Sequence, residues 1–250
     1  MKIKSLLTVI LLFLCSTMIF SQAQKSLQPH QGKIQSIVES ANNTFYTAGD
    51  DGFVVKWLPD GTGEHFQISD LEIKLIAVSP NGTDIAVYET DGFSIHRVSE
   101  WNWKTLTRKN AKRFTDSIVS LEYSAKGTYL MAGTSSVDGM LFLDPKNKLT
   151  PLSVVKDFTG TVTVAKTGKT EKTVLMYSPQ GTLTYYNLAD GSKVQEFDCE
   201  TLLEQATLLY NNVYLVGKKN DSISIIKATT GEISATIPSK NPIILKSSGS

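Results

Sequence analysis

Three observations predict an all-β protein made of repeated four-stranded antiparallel units. A phrase of strand, polar turn, strand, tight turn and strand recurs five times after residue 30. The residue that follows the tight-turn marker falls at Gly52, Gly92, Gly139, Gly181 and Ser222, in steps of 40, 47, 42 and 41 residues. No segment beyond residue 23 sustains a helical period, and Glu200–Ala206, which leans that way, spans a turn or so. An interval of about 40–45 residues with four strands in each unit is that of a β-propeller blade. The expected fold is therefore a β-propeller of about five blades, followed by the start of a sixth.

The first unit is the clearest. A polar approach, His30-Gln31-Gly32-Lys33, leads into an apolar strand at Ile34–Val38, and a second strand follows at Phe45–Gly49. Asp50-Asp51-Gly52 turns the chain back into Phe53–Trp57, because Asp and Gly supply the backbone angles that a tight hairpin needs. In the second unit Leu75–Pro80, Asp84–Tyr88 and Phe93–Val98 hold these places, with turns at Asn81-Gly82 and Asp91-Gly92. The third runs through Ile118–Tyr123, Tyr129–Gly133 and Met140–Leu143, with turns at Lys126-Gly127 and Asp138-Gly139. Thr161–Ala165, Thr173–Tyr177 and Thr182–Leu188 make the fourth, and Ala206–Tyr210, Val213–Gly217 and Ile223–Ile226 the fifth. An outer fourth strand follows each, as at Val194–Phe197 and Ile233–Ile237. The expected blades span 30–69, 71–108, 114–157, 158–198 and 203–238.

The first unit closely resembles a WD repeat. The resemblance rests on His30 in the approach loop, Thr47 on the second strand, Asp51 in the tight turn and Trp57 on the third strand. It implies that these four form one hydrogen-bonded set inside the blade, as scaffold residues and not catalysts. Leu58 departs from the pattern, since the family usually carries Asp after the tryptophan. Most of the later units lack a His at the place of His30 and a Trp at the place of Trp57. His65, on an outer strand, and His96, on a third strand, do not reproduce His30. Trp101 and Trp103 are expected between the third and fourth strands of the second unit. On that rim they either cover an apolar edge or, if exposed, anchor a partner.

The amino end reads as a secretory signal peptide over residues 1–23, leaving 24–250 as the propeller. Met1–Lys4 is basic, Ser5–Phe20 is almost wholly apolar, and Ser21-Gln22-Ala23 forms a small-residue cleavage triplet. The apolar run falls short of the roughly 20 residues of a membrane span, so no span is expected after cleavage. Cys15, preceded by Leu at a suitable distance, raises lipidation as an alternative, against which Leu14 stands where a small residue is normally needed. Loss of residues 1–23 removes Lys2 and Lys4 and takes the net charge from +1 to −1. A near-neutral chain without a basic run does not hold a polyanion, so nucleic acid is not an expected partner. Cys199 is then the remaining cysteine, which rules out an internal disulfide. Export without disulfides points to a bacterial envelope, with the protein periplasmic or bound to the cell surface.

At the other end, Asn241-Pro242 and Ile243–Lys246 look like the inner strand of a further unit within 241–250. This makes the chain the expected front part of a longer protein. The alternative is a five-blade ring closed by Lys25–Pro29 or Ile243–Lys246.

No catalytic, metal or cofactor constellation emerges. The three histidines are scattered, no cysteine pair exists, and Asp50-Asp51 is explained by its hairpin. Thr167-Gly168-Lys169-Thr170 lacks the preceding glycine and the following helix of a phosphate loop, so a polar hairpin is expected there. The favoured function is a noncatalytic scaffold or adapter that presents loops to a protein or peptide partner. The alternatives are an exported propeller enzyme or small-molecule binder, and the sensor half of a longer protein with a catalytic domain.

Overall fold

The computed structural model describes residues 30–40, 43–135, 139–156, 164–178, 180–199, 201–209 and 213–240. The signal peptide, Cys15, Asp138 and the expected further strand within 241–250 lie outside the described residues. The architecture is an all-β propeller of five four-stranded antiparallel blades, with the strands of each sheet ordered as they occur in the chain. Blade 1 holds β1 (Ile34–Ser40), β2 (Thr44–Gly49), β3 (Phe53–Trp57) and β4 (Gly63–Gln67). Blade 2 holds β5 (Glu72–Val78), β6 (Asp84–Thr90), β7 (His96–Asn102) and β8 (Thr107–Phe114). Blade 3 holds β9 (Ile118–Tyr123), β10 (Leu130–Thr134), β11 (Met140–Asp144) and β12 (Thr150–Val155). Blade 4 holds β13 (Val164–Thr167), β14 (Thr173–Tyr177), β15 (Thr182–Asn187) and β16 (Lys193–Asp198). Blade 5 holds β17 (Gln205–Leu209), β18 (Tyr214–Lys219), β19 (Ser222–Lys227) and β20 (Ile233–Pro238).

The first strands β1, β5, β9, β13 and β17 pack side by side in that order and form the inner wall. Because successive strands are antiparallel, the turn between second and third strands lies at one end of each blade, the upper face. Turns joining first to second and third to fourth strands lie at the opposite end, the lower face.

The core is a series of seams between blades. Tyr46, Ala48 and Val54 of blade 1 meet Ile73, Ile76, Ile85 and Val87 of blade 2. Ala86, Tyr88 and Val98 of blade 2 then meet Ile118, Leu121 and Leu141 of blade 3. Further seams join Met131 and Phe142 to Val174 and Tyr186, and Leu175 and Tyr177 to Leu208 and Ile226. This explains the continuous apolar runs. On β6, Ile85 and Val87 face one neighbour while Ala86 and Tyr88 face the other, so both sides of the strand must be apolar. Outer strands have no such duty, and β8 reads TRKNAKRF with its residues exposed or half-buried.

The periodic glycine has a local cause. Gly52, Gly92, Gly139 and Gly181 all have positive φ, from 68° to 93°. At Gly52 a Cβ would also collide with the Ser69 carbonyl, where the outer strand passes close to the turn. In blade 5 the residue at that step is Ser222, and Asn220 takes the left-handed conformation instead, at φ 49°.

Blade 2 departs from the sequence expectation in three ways. Its third strand is not Phe93–Val98 but His96–Asn102, because Asp91 binds the backbone of the next residues and keeps 93–95 in the turn. Its outer strand runs to Phe114, past the expected boundary at 108, since a strand of alternating basic and polar residues carries no apolar signal. Trp101 accordingly lies within β7, and Trp103 follows directly after it, instead of both falling in a connection between strands.

Candidate functional site

Blade 1 contains one chain of hydrogen bonds through the four residues of the WD-like set. Trp57 Nε1 donates to Thr47 Oγ1 at 2.9 Å. Thr47 Oγ1 lies 2.8 Å from His30 Nε2, and His30 Nδ1 lies 3.1 Å from Asp51 Oδ1. A carboxylate only accepts, so Nδ1 carries the proton, and Nε2 accepts from the Thr47 hydroxyl. The register sets this up: Thr47 pairs with Val55, and Trp57 sits one turn of the pleat further along β3, opposite Phe45. His30 and Thr47 are buried, and Asp51 also accepts from the backbone N–H groups of Gln31, Gly32 and Phe53. Burial opposes ionisation of Asp51, but the bonds from Phe53 N, His30, Gly32 N and Gln31 N outweigh it and hold its carboxyl below the ordinary range. Each group in this set of bonds is engaged by another, so the arrangement fixes the approach loop to the hairpin.

Blade 2 carries a different polar chain. Trp101 Nε1 donates to Ser99 Oγ at 2.8 Å, the Ser99 hydroxyl donates to the buried Glu89 carboxylate, and Arg97 binds the same carboxylate. Trp101 stands opposite Ile85 in the register, as Trp57 stands opposite Phe45. Blade 2 therefore does have a tryptophan at the place of Trp57. The four extra residues of its hairpin hide the equivalence in a sequence count. A second buried carboxylate, Glu100, accepts from Asn110 Nδ2 of its own blade at 2.6 Å and, across the seam to blade 3, from Tyr123 Oη at 2.9 Å.

Two exposed features are not explained by packing. On the upper face, Phe93 is 89% exposed at the tip of the β6–β7 hairpin. Asp91 Oδ1 accepts from the N–H groups of Phe93, Ser94 and Ile95 at 2.8–2.9 Å, and Asp91 Oδ2 from the Ser94 hydroxyl at 3.1 Å. These bonds, led by those from Ile95 and Phe93, drive the Asp91 pKa far below the ordinary carboxylate range. The tip is a clamped turn, and a DG pair followed by Ser is the signal that marks it in the sequence.

On the lower face, a cleft of about 510 Å³ opens between blades 1 and 2. Blade 1 contributes Lys56, Glu64, His65 and Phe66, and blade 2 contributes Trp103 and Leu106 among others. The structure separates the two tryptophans singled out in the sequence. Trp101 and Trp103 both pack on the seam cluster, Trp101 edge-on to Phe66 at 6.0 Å and Trp103 edge-on to Tyr46 at 5.2 Å, but of the two only Trp103 lines the cleft. The other lining residues come from different blades and carry no shared sequence signal. Among the described residues, no group of three or more His, Cys, Asp or Glu is placed to hold a metal ion.

The chain is similar to known proteins along nearly all its length. A family model described as an N-terminal beta-propeller domain matches residues 16–248. An uncharacterized protein of Treponema pallidum (strain Nichols) is 35% identical over 211 residues, which cover 84% of this chain and 34% of that protein. The chain thus spans about a third of that relative's length. With five blades among the described residues and this match over residues 16–248, the chain belongs to the family of N-terminal β-propeller domains.

Proposed function

We propose that this propeller is a noncatalytic protein-binding module of WD-repeat type, exported after removal of residues 1–23 and acting in a bacterial cell envelope. The WD-type reading rests on the His30–Asp51, His30–Thr47 and Trp57–Thr47 bonds of blade 1. The binding reading is carried by one observation, the clamped and exposed Phe93. An aromatic ring left in water on a turn already fixed by its own hydrogen bonds has little ordering to lose when a partner covers it. Such rigid aromatic side chains are the usual anchors of protein interfaces. The partner is a protein with an apolar pocket, met by the upper face.

A photo-crosslinking residue placed at 93 in the native cell tests this, with the same residue at the exposed lower-face position 146 as control. A discrete adduct is expected from 93 and not from 146. Identical patterns from both positions, or none from 93, overturn the reading. Sequencing the amino terminus of the isolated protein is expected to start at Gln24.

A further inference from the structure

The lower-face cleft has properties that the scaffold does not require. Its walls combine Phe66, Trp103 and Leu106 with Lys56, Lys104 and Glu64. Lys56 and Lys104 enter no ion pair among the described residues, although Glu64 stands directly opposite Lys56 across β3 and β4. Lys56 and Lys104 against Glu64 leave one net positive charge on the cleft walls. Under its floor, Tyr46 is fully buried, and its hydroxyl has no hydrogen-bond partner among the described residues. Burial, aided by the Glu64 carboxylate, pushes that phenol up to about 12, so it stays a donor. Leu106 is held at φ 54° and is 43% exposed. A leucine at this backbone angle is strained where glycine is not, so the side chain is kept on the cleft wall against local preference.

We infer that this cleft binds a peptide segment of a protein partner in which a large apolar residue adjoins an aspartate or glutamate. The apolar side chain covers Trp103, Phe66 and Leu106, and the carboxylate takes the unpaired charges of Lys56 and Lys104. A cleft of this volume suits two or three residues and not a folded domain. Charge complementarity selects the occupant: a lysine beside the apolar residue would meet Lys56 and Lys104 with like charge. The inference rests on the protein-binding reading, but it concerns the face opposite Phe93, so the two sites fail independently.

The test uses the full chain and fluorescein-labelled hexapeptides in a Gly-Ser frame. Each carries Trp, Leu or Ala next to Asp, Asn or Lys, in both orders, and binding is read by anisotropy. Trp–Asp and Leu–Asp peptides are expected to bind at least about ten-fold tighter than their Lys or Ala counterparts, with Asn between. Lys104→Glu, at an exposed position, is expected to leave thermal unfolding unchanged and to reverse the preference between Asp and Lys. Trp103→Ala abolishes binding, and Phe93→Ala leaves it unchanged. Absence of binding by every peptide overturns the inference, as does an Asp preference that Lys104→Glu does not alter.

Discussion

Trp57 and Trp101 occupy the same register position in successive blades, and each donates its indole N–H to a hydroxyl, Thr47 at 2.9 Å and Ser99 at 2.8 Å. Each hydroxyl then leads to a carboxylate, by different routes. In blade 1 the path crosses to the approach loop through His30 and ends at Asp51. In blade 2 it stays inside the hairpin and ends at Glu89. The position is thus used twice, once to tie down the loop that enters a blade and once to brace the turn beneath Phe93.

Thr47→Val keeps the shape of the side chain and removes the hydroxyl on which two partners depend. Trp57 Nε1 and His30 Nε2 then lose their bonds in a buried place. The expected loss is about 2 kcal/mol in urea unfolding, the usual cost of leaving such groups unpaired. Trp57→Ala is expected to cost about 2–3 kcal/mol, less than a fully buried tryptophan, because this ring is half-exposed beside Phe45. Unchanged unfolding in both variants would show that the chain of bonds does not support the blade.

Asp51 makes stability depend on acid. Its folded pKa lies below the ordinary value, so the unfolded chain takes up the proton first as pH falls. The stabilisation is present in full above the unfolded value of about 3.9 and is lost as pH drops through the lower folded value. Asp51→Asn is expected to flatten the part of the stability profile that lies below about pH 4, measured by unfolding at stepped pH. A variant with the same acid slope as the parent would assign that slope to other carboxylates.

Much of this was legible in the sequence, and the gaps have physical causes. Turn chemistry located the blades because each upper hairpin needs a left-handed residue, which Gly52, Gly92, Gly139 and Gly181 supply. Apolar runs located the second strands because both of their faces are buried, as on β6 and β14. The outer strand β8 extends further than the sequence predicts because its exposed residues need only alternate and pair. Phe93 reads as a strand residue until the Asp91 bonds are seen, since β-propensity does not report a turn clamped from its first residue. The cleft drew only Trp103 from sequence reasoning. Its other residues meet because two blades pack, a relation that no local pattern records.

Glu100 is buried between blades 2 and 3, with its two oxygens accepting from Tyr123 Oη and Asn110 Nδ2, and with Lys109 Nζ at 3.5 Å. Glu100→Gln sets an amide N–H₂ group against one of these donors, and the expected cost is about 1–3 kcal/mol. Tyr123→Phe removes one bond to a charged acceptor and is expected to cost about 2 kcal/mol. The two losses share a partner, so the double variant is expected to lose clearly less than their sum, as a double-mutant cycle would read. Strict additivity would mean that the pair is not coupled across the seam.

Cys199 reports on the seam between blades 4 and 5. Burial, with the Asp198 carboxylate next to it, pushes its thiol up to about 11 from an ordinary value of 9.0. Its side chain packs on the cluster that includes Tyr177, Leu208 and Ile226. The thiolate is the reacting species, so a rise of this size lowers its population at pH 8 by about a hundred-fold. The more basic thiolate is also the better nucleophile, so alkylation of the Cys199 peptide, followed by mass spectrometry, is expected to be about ten-fold slower in the native protein than in urea. Leu208→Ala, which opens the same cluster, is expected to bring the rate part of the way back by local opening. Native labelling as fast as in urea would mean that Cys199 is not held against blade 5, and that this seam opens far more often than the others.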